Sequence, residues 1–132
     1  MSIIRLNPAT VATPRGTYSH GVMAPDGGSW LHISGQVGIL PDGSTPAGFA
    51  EQTSAAWSNL VAILADAGMD VGCLVKITTF VTDADNLPEM ARIRAAFLGD
   101  VRPASTLLVV KALARPEWAI EVEAVAFRPN KA

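Results

Sequence analysis

The sequence lacks the features of nucleic-acid-binding, membrane-spanning and secreted proteins. Its ten basic and twelve acidic residues give a net charge of −2, whereas a nucleic-acid binder gains affinity from clustered positive charge. No apolar stretch reaches the length of about 18 residues that a transmembrane helix needs, and the first residues lack the apolar segment of a secretory signal. The single cysteine, Cys73, allows no internal disulfide and fits a reducing compartment. These absences predict a cytoplasmic protein.

Motifs of the common cofactor and catalytic sites are also missing. The sequence has no GxxxxGK[ST], GxGxxG, HExxH or CxxC motif, and no GxSxG motif of a serine hydrolase. His20, His32 and one cysteine make a poor set of metal ligands. We therefore expect neither a metal nor a cofactor.

Charged and aromatic residues are both scarce, at 17% and 6% of the 132 residues, while apolar residues make up 49%. A chain of this length fits one domain, to which we assign residues 1–132. The apolar surplus has two interpretations. Either an alanine-rich chain forms an ordinary core, or additional apolar surface is buried between subunits.

Hydrophobic patterns predict an α+β fold with the order β-β-α-β-α-β-β. Strands are predicted where apolar residues alternate or β-branched residues cluster. Helices are predicted where apolar residues recur at three and four, and Arg94 falls on the apolar stripe of the second helix. The loop between the first two strands predicts a hairpin. The predicted strands are 16–22, 30–36, 74–82, 105–111 and 118–127, and the predicted helices are 49–67 and, from a cap at Asp85 or Asn86, up to residue 98.

Two helices cannot cover both faces of a sheet with five or six strands. We therefore expect both helices on one face of a mixed sheet and an open second face. Several residues of that second face are apolar, so another copy of the chain could cover it.

The last predicted strand carries two carboxylates on one face, Glu121 and Glu123. Their neighbours on that face are apolar. A carboxylate in such surroundings is costly unless it is paired, or it serves as a general base. Two interpretations stay open at this point: a catalytic base, or a carboxylate that faces solvent or pairs with Lys76 or Lys111.

A glycine lies at the end of the second predicted strand, in the segment Ser34-Gly35-Gln36. It either lets a ligand approach the backbone closely or marks a β-bulge. The sequence leaves both interpretations open.

Seven short segments, each weak alone, together carry a family resemblance. They are GTYS at 16–19, LHISGQVG at 31–38, PDG at 41–43, Gln52 with NLVAIL at 59–64 and AG at 67–68, VKITTFVTD at 75–83, RPA at 102–104 and IEVEA at 120–124. In this order they resemble the RidA/YjgF family, also called endoribonuclease L-PSP-like proteins, over essentially the whole chain.

The resemblance implies a chorismate-mutase-like fold and a homotrimer with ligand clefts between subunits. It also implies hydrolysis of reactive enamines and imines, such as 2-aminoacrylate and 2-iminobutanoate, to 2-oxo acids and ammonia without a metal or cofactor. The expected partners are further copies of the chain and a small imine, enamine or 2-oxo acid, and neither nucleic acid nor a membrane.

The resemblance assigns roles to individual residues of this sequence. Glu121 matches the glutamate that positions the attacking water. Tyr18, Ser34 and Gly35 match residues that line the cleft, and Leu107 matches a position that offers only backbone groups.

Two positions depart from the pattern of the deaminating members. Ser105 stands where those members carry an arginine, in a Pro-Ala-Arg-Ser/Thr motif, that clamps the substrate carboxylate through paired hydrogen bonds. Ala91 stands where they often carry an asparagine. Ser105 is therefore a substrate-binding position without the guanidinium.

We predict a RidA-like protein that binds a small molecule in an intersubunit cleft and hydrolyses an enamine or imine, with Glu121 as the catalytic residue. Activity on 2-iminobutanoate and 2-aminoacrylate is predicted to be weak because Ser105 replaces the arginine. The alternative is a non-catalytic ligand-binding or regulatory module that uses the same cleft. Ribonuclease activity is not expected, because the basic surface that RNA requires is missing.

Overall fold

The computed structural model describes residues 2–131 and shows an α+β arrangement of two helices and six strands. Short 3₁₀ turns lie at Val71–Cys73 and Ala84–Asn86. No helix within residues 2–131 combines the length and hydropathy that a membrane span requires. The elements are β1 Ile4–Leu6, β2 Gly21–Met23, β3 Gly28–Val37, α1 Phe49–Asp66, β4 Leu74–Val81, α2 Leu87–Leu98, β5 Ala104–Val109 and β6 Ile120–Pro129.

The main sheet has four strands in the order β3-β6-β4-β5. Strand β6 runs antiparallel to both of its neighbours, whereas β4 and β5 are parallel and are joined through α2. The sheet is therefore mixed, as predicted. Strands β3 and β5 lie at its two ends.

Both helices pack on one face of this sheet, as predicted. Trp57, Leu60 and Leu64 of α1 are fully buried there against the alternate residues of β4 and β6 that point to the same side. On the other face, Trp30 and Leu108 are 53% and 43% exposed. Large apolar side chains that are exposed on one face of a single chain are typical of a surface that a partner covers.

Strand pairing of the first third of the chain differs from the predicted hairpin. Strand β2 begins at Gly21 and pairs with β1, a strand that the sequence analysis did not predict. Strand β3 pairs instead with β6, where Ile33 lies opposite Ala124 and is buried under the helices. The local turn permits a hairpin between β2 and β3, but pairing of β3 with the distant strand β6 buries more apolar surface and is therefore more stable.

Gln52 fixes the start of β6 against α1. Its side chain is buried, and Nε2 donates to the carbonyl oxygens of Pro46 and Glu117, each at 2.9 Å. Its Oε1 accepts from the backbone N–H of Ala119 at 2.9 Å. This single amide therefore holds the chain at Ala119, directly before β6 begins and two residues before Glu121.

Candidate functional site

Glu121 lies half-buried on the open face of β6. Its neighbours in the strand, Ile120 and Val122, are fully buried on the helix side, so alternation directs the Glu121 carboxylate to the opposite face. Across the sheet it lies opposite Phe80 of β4. The strand pattern of the sequence predicted this face correctly.

The Glu121 carboxylate has no basic partner among residues 2–131, where the ion pairs join Arg92 to Glu89 and Arg115 to Glu117. Lys76, one of the two lysines considered as a partner, donates from Nζ to the Thr106 hydroxyl at 2.5 Å instead. Pairing with Lys76 or Lys111 is therefore wrong as an explanation of this residue. A half-buried carboxylate that is not ion-paired is available for a ligand or a water molecule.

Gly35 lies directly against the Glu121 carboxylate. A Cβ atom built on Gly35 would lie 1.8 Å from Glu121 Oε2 and 2.7 Å from Cδ. The pairing of β3 with β6 is also interrupted between Ile33 and Gln36, which marks a bulge. The bulge interpretation is therefore confirmed, and the group that lies against the Gly35 backbone is the Glu121 carboxylate, whereas the approach of a ligand stays a prediction. We call Ser34, Gly35 and Glu121 the Glu121 cluster.

A second group of predicted residues lies at the other end of the sheet, on β5. The Ser19 N–H donates to the Pro103 carbonyl at 2.9 Å, and Ser19 forms a parallel bridge with Ala104. In this parallel bridge Tyr18, a half-buried residue, lies opposite Pro103 at the start of β5, two positions before Ser105. We call Tyr18, Ser105 and Leu107 the β5 cluster.

Ser105 and Leu107 point to the helix side of the sheet, because they lie opposite the buried residues Ile77 and Thr79 of β4. Ser105 is half-buried and Leu107 is 38% exposed. Neither side chain shares the face on which Glu121 lies.

One chain does not bring the two clusters together. Ala104 lies opposite Lys76, and Lys76 lies opposite Val125, which is four residues from Glu121 along β6. At about 3.3 Å per residue and about 4.8 Å between strands, Ser105 and Leu107 lie roughly 14 and 10 Å from Glu121 in the sheet, and their side chains lie on the opposite face. The sheet itself therefore keeps a small ligand from touching both clusters of the same copy.

Sequence reasoning missed one buried polar residue near the β5 cluster, Arg94 of α2. It is only 7% exposed, and its Nε donates to the Thr17 hydroxyl at 2.9 Å. The signal was present, because an arginine on a stripe shared with Met90 and Phe97 is forced toward the interior. Arg102, by contrast, directs Nη1 to the carbonyls of Gly99 and Val101, at 2.6 and 2.9 Å.

A concavity of about 860 Å³ lies between α1 and α2 and is lined mostly by apolar atoms, with Asn59, Arg92 and Phe97 on its walls. None of the residues in either cluster borders it. The mostly apolar lining of this concavity does not match the polar residues of the predicted site.

A mixed four-stranded sheet with two helices on one face defines the α+β fold class of this protein. Comparison with known proteins leads to the same class and to a family. The profile described as endoribonuclease L-PSP matches residues 9–128. The 2-iminobutanoate/2-iminopropanoate deaminase of Mus musculus is 33% identical over 129 residues, which are 95% of this chain and 93% of that protein.

Solved structures give the same result. The Rid-family protein YyfB of Yersinia pestis, described as a protein of unknown function, superimposes with a TM-score of 0.84 at 33% identity, over 96% of this chain and 98% of that one. The structure of E. coli TdcF with bound serine has a TM-score of 0.72 at 28% identity, over 87% and 91% of the two chains. The chain belongs to the endoribonuclease L-PSP family, the RidA/YjgF proteins. The predicted family and fold class are confirmed.

Proposed function

We propose that this protein hydrolyses a small enamine or imine in a cleft between copies of the chain, and that Glu121 directs the water. The observation that carries the proposal is the half-buried Glu121 carboxylate, which has no ion-pair partner within residues 2–131 and lies against Gly35. The similarity to a protein named as a 2-iminobutanoate/2-iminopropanoate deaminase supports this class of reaction.

The reaction needs no group beyond water and the side chains. An enamine first takes a proton from solvent on its carbon and loses one N–H proton, and so becomes an imine. Glu121 accepts a proton from water as the water oxygen bonds to the imine carbon, and that proton passes to the nitrogen to give a carbinolamine. The hydroxyl proton of the carbinolamine then moves to the nitrogen as the C–N bond breaks, which releases a carbonyl compound and ammonia, so one C=N group and one water are consumed.

The separation of the two clusters supports a site shared by neighbouring copies, and a homotrimer is the assembly that the family resemblance implies. The open face, with Trp30 and Leu108 exposed, offers apolar surface for such an interface. In the cleft, the Glu121 cluster of one copy faces the β5 cluster of the next. The structure of TdcF with bound serine shows that a relative binds a small polar molecule. The free thiol of Cys73 suits a cytoplasmic setting.

The substrate preference differs from that of an arginine-bearing deaminase. Ser105 has no guanidinium to form paired hydrogen bonds with a carboxylate. We expect kcat/KM for 2-iminobutanoate to be at least about tenfold to a hundredfold lower than that of a deaminase that carries the arginine, because the loss of even one charged hydrogen bond costs about 1.5–3 kcal/mol. Release of 2-oxobutanoate, measured for the two proteins side by side, checks this. Equal values of kcat/KM contradict the role assigned to position 105.

A non-catalytic binding module is the second candidate. It is favoured by the serine at position 105, where deaminating members carry an arginine. It predicts that the protein binds 2-oxo acids but releases no ammonia from any imine in a panel made in situ by an amino-acid oxidase. Hydrolysis above the uncatalysed rate for any member of the panel excludes it. RNA that stays bound at physiological salt would contradict both candidates, because the chain carries a net charge of −2.

A further inference from the structure

Arg94 is a buried charge that the fold does not neutralise. Its side chain belongs to α2 and is 7% exposed. No carboxylate within residues 2–131 forms an ion pair with it, and its one side-chain hydrogen bond joins Nε to the neutral Thr17 hydroxyl. A guanidinium has five N–H donors, so the donors on both Nη atoms are left for another group.

Such an arrangement costs stability. Burial lowers the pKa of Arg94 below its ordinary value, because the charged form loses solvation that no counter-charge replaces. Arginine stays protonated at any physiological pH, so the buried charge opposes folding under all working conditions. Residues that destabilise a fold in this way are typical of functional sites.

The tip of Arg94 lies beside the β5 cluster. Nη2 lies 3.6 Å from the position that a Cβ on Gly16 would occupy, and two carbons of the Tyr18 ring lie 3.6 and 3.7 Å from the same point. The guanidinium, the Tyr18 ring and the Thr17 hydroxyl therefore surround Gly16. The bridge from Ser19 to Ala104 places this group at the start of β5, two positions before the half-buried Ser105.

We propose that Arg94 is the anion-binding residue of the cleft, and that the ligand carries a carboxylate that accepts hydrogen bonds from the two Nη atoms of Arg94. This inference rests on the proposed function, since it assumes that the β5 cluster lines the cleft. The guanidinium comes from α2 and not from β5, so the carboxylate is held beside Gly16 and Tyr18. That displacement selects 2-imino acids whose length or shape differs from that of 2-iminobutanoate.

The test is calorimetric binding of three probes: 2-oxobutanoate, its neutral analogue 2-oxobutanamide, and inorganic phosphate. Arg94→Met removes the charge and keeps the length of the side chain. We expect it to raise the Kd of 2-oxobutanoate by about tenfold to a hundredfold, the range for a lost charged hydrogen bond, and to leave the Kd of the amide unchanged. If Arg94→Met abolishes phosphate binding but leaves the Kd of 2-oxobutanoate unchanged, the site binds phosphate. That result would overturn the proposal of a carboxylate ligand.

The matched control is Arg92→Met on the same helix, because the Arg92 side chain is 67% exposed and pairs with Glu89. It should change none of the three Kd values. Arg94→Lys keeps the charge but not the fork of donors, and we expect it to raise the Kd of 2-oxobutanoate at least about threefold. If Arg94→Met does not fold, the result for Arg94→Lys decides.

A structural role for Arg94 predicts a different pattern. It predicts a lower Tm for Arg94→Met and equal weakening of acid and amide binding, whereas an anion site predicts a Tm no lower than that of the wild type. Wild-type affinity for 2-oxobutanoate in both Arg94 variants, or no binding of any probe to the wild type, overturns the inference. Because binding is measured without turnover, carboxylate-selective binding to a protein that hydrolyses no imine supports Arg94 and rejects the proposed function alone.

Discussion

Replacement of Glu121 by glutamine is expected to lower kcat for imine hydrolysis by about a hundredfold to ten-thousandfold, the usual contribution of a general base. Glutamine has nearly the same shape but cannot accept the proton of the attacking water. The Kd of 2-oxobutanoate should change less than about threefold, because binding depends on the other cluster. Ammonia release under saturating substrate, measured with the best imine of the panel, checks the first value, and calorimetry checks the second.

Glu123→Gln is the matched control. Glu123 lies on the same strand and the same face, but it is exposed and lies opposite Thr78. It should keep kcat within about twofold of the wild type, as expected for an exposed side chain outside the site. Equal losses in the two variants would show that the charge of the open face matters and that Glu121 has no special role.

Gly35→Ala is expected to lower kcat by about a hundredfold, because a displacement of about 1 Å at a reacting group has an effect of this size. The new methyl group would occupy a point 1.8 Å from Oε2 of Glu121, so the carboxylate has to rotate away from Gly35. Gly35 does not have a positive φ angle, and the substitution therefore tests the space beside Glu121 without backbone strain. Steady-state kinetics and the Tm of the variant measure the two effects separately.

Gly21→Ala provides the control for the Gly35 substitution. A Cβ on Gly21 would meet only the Leu6 side chain, at 3.7 Å or more, which is an ordinary contact. It should leave kcat unchanged. Wild-type kcat in Gly35→Ala would contradict the close approach of Glu121 to this strand, whereas a large drop in Tm would assign the glycine to folding.

The elements whose patterns are long were predictable from the sequence. The helical period of α1 ends where the chain reaches Gly68, which adopts a φ of +69°, and the β-branched run of β4 has the predicted start at Leu74. The hairpin was wrong, because a local turn does not reveal that β3 gains more by pairing with β6. Pairings between distant segments depend on burial that only the assembled sheet provides.

The candidate site was predictable in its residue types but not in its arrangement. Alternation along β6 gave the face of Glu121, but nothing local to Gly35 indicates that its missing side chain makes room for that carboxylate. The side on which Ser105 points required the register of β5 against β4. Arg94 shares its helical stripe with apolar residues, and an arginine on such a stripe is itself a sign of a buried charge.

Subunit complementation tests most directly whether neighbouring copies share the site. Glu121→Gln alters one cluster and Tyr18→Ala alters the other, and each is expected to be nearly inactive alone. In mixed trimers formed from equal amounts, about a quarter of the clefts join an intact Glu121 cluster to an intact β5 cluster, as follows from cyclic symmetry.

The expected result is hydrolysis at about a quarter of the wild-type rate, from particles with three times the 13.8 kDa mass of one chain. Light scattering on the same samples gives the mass. Activity no greater than that of the two parents, in trimers proven to be mixed, would contradict a site built from two copies.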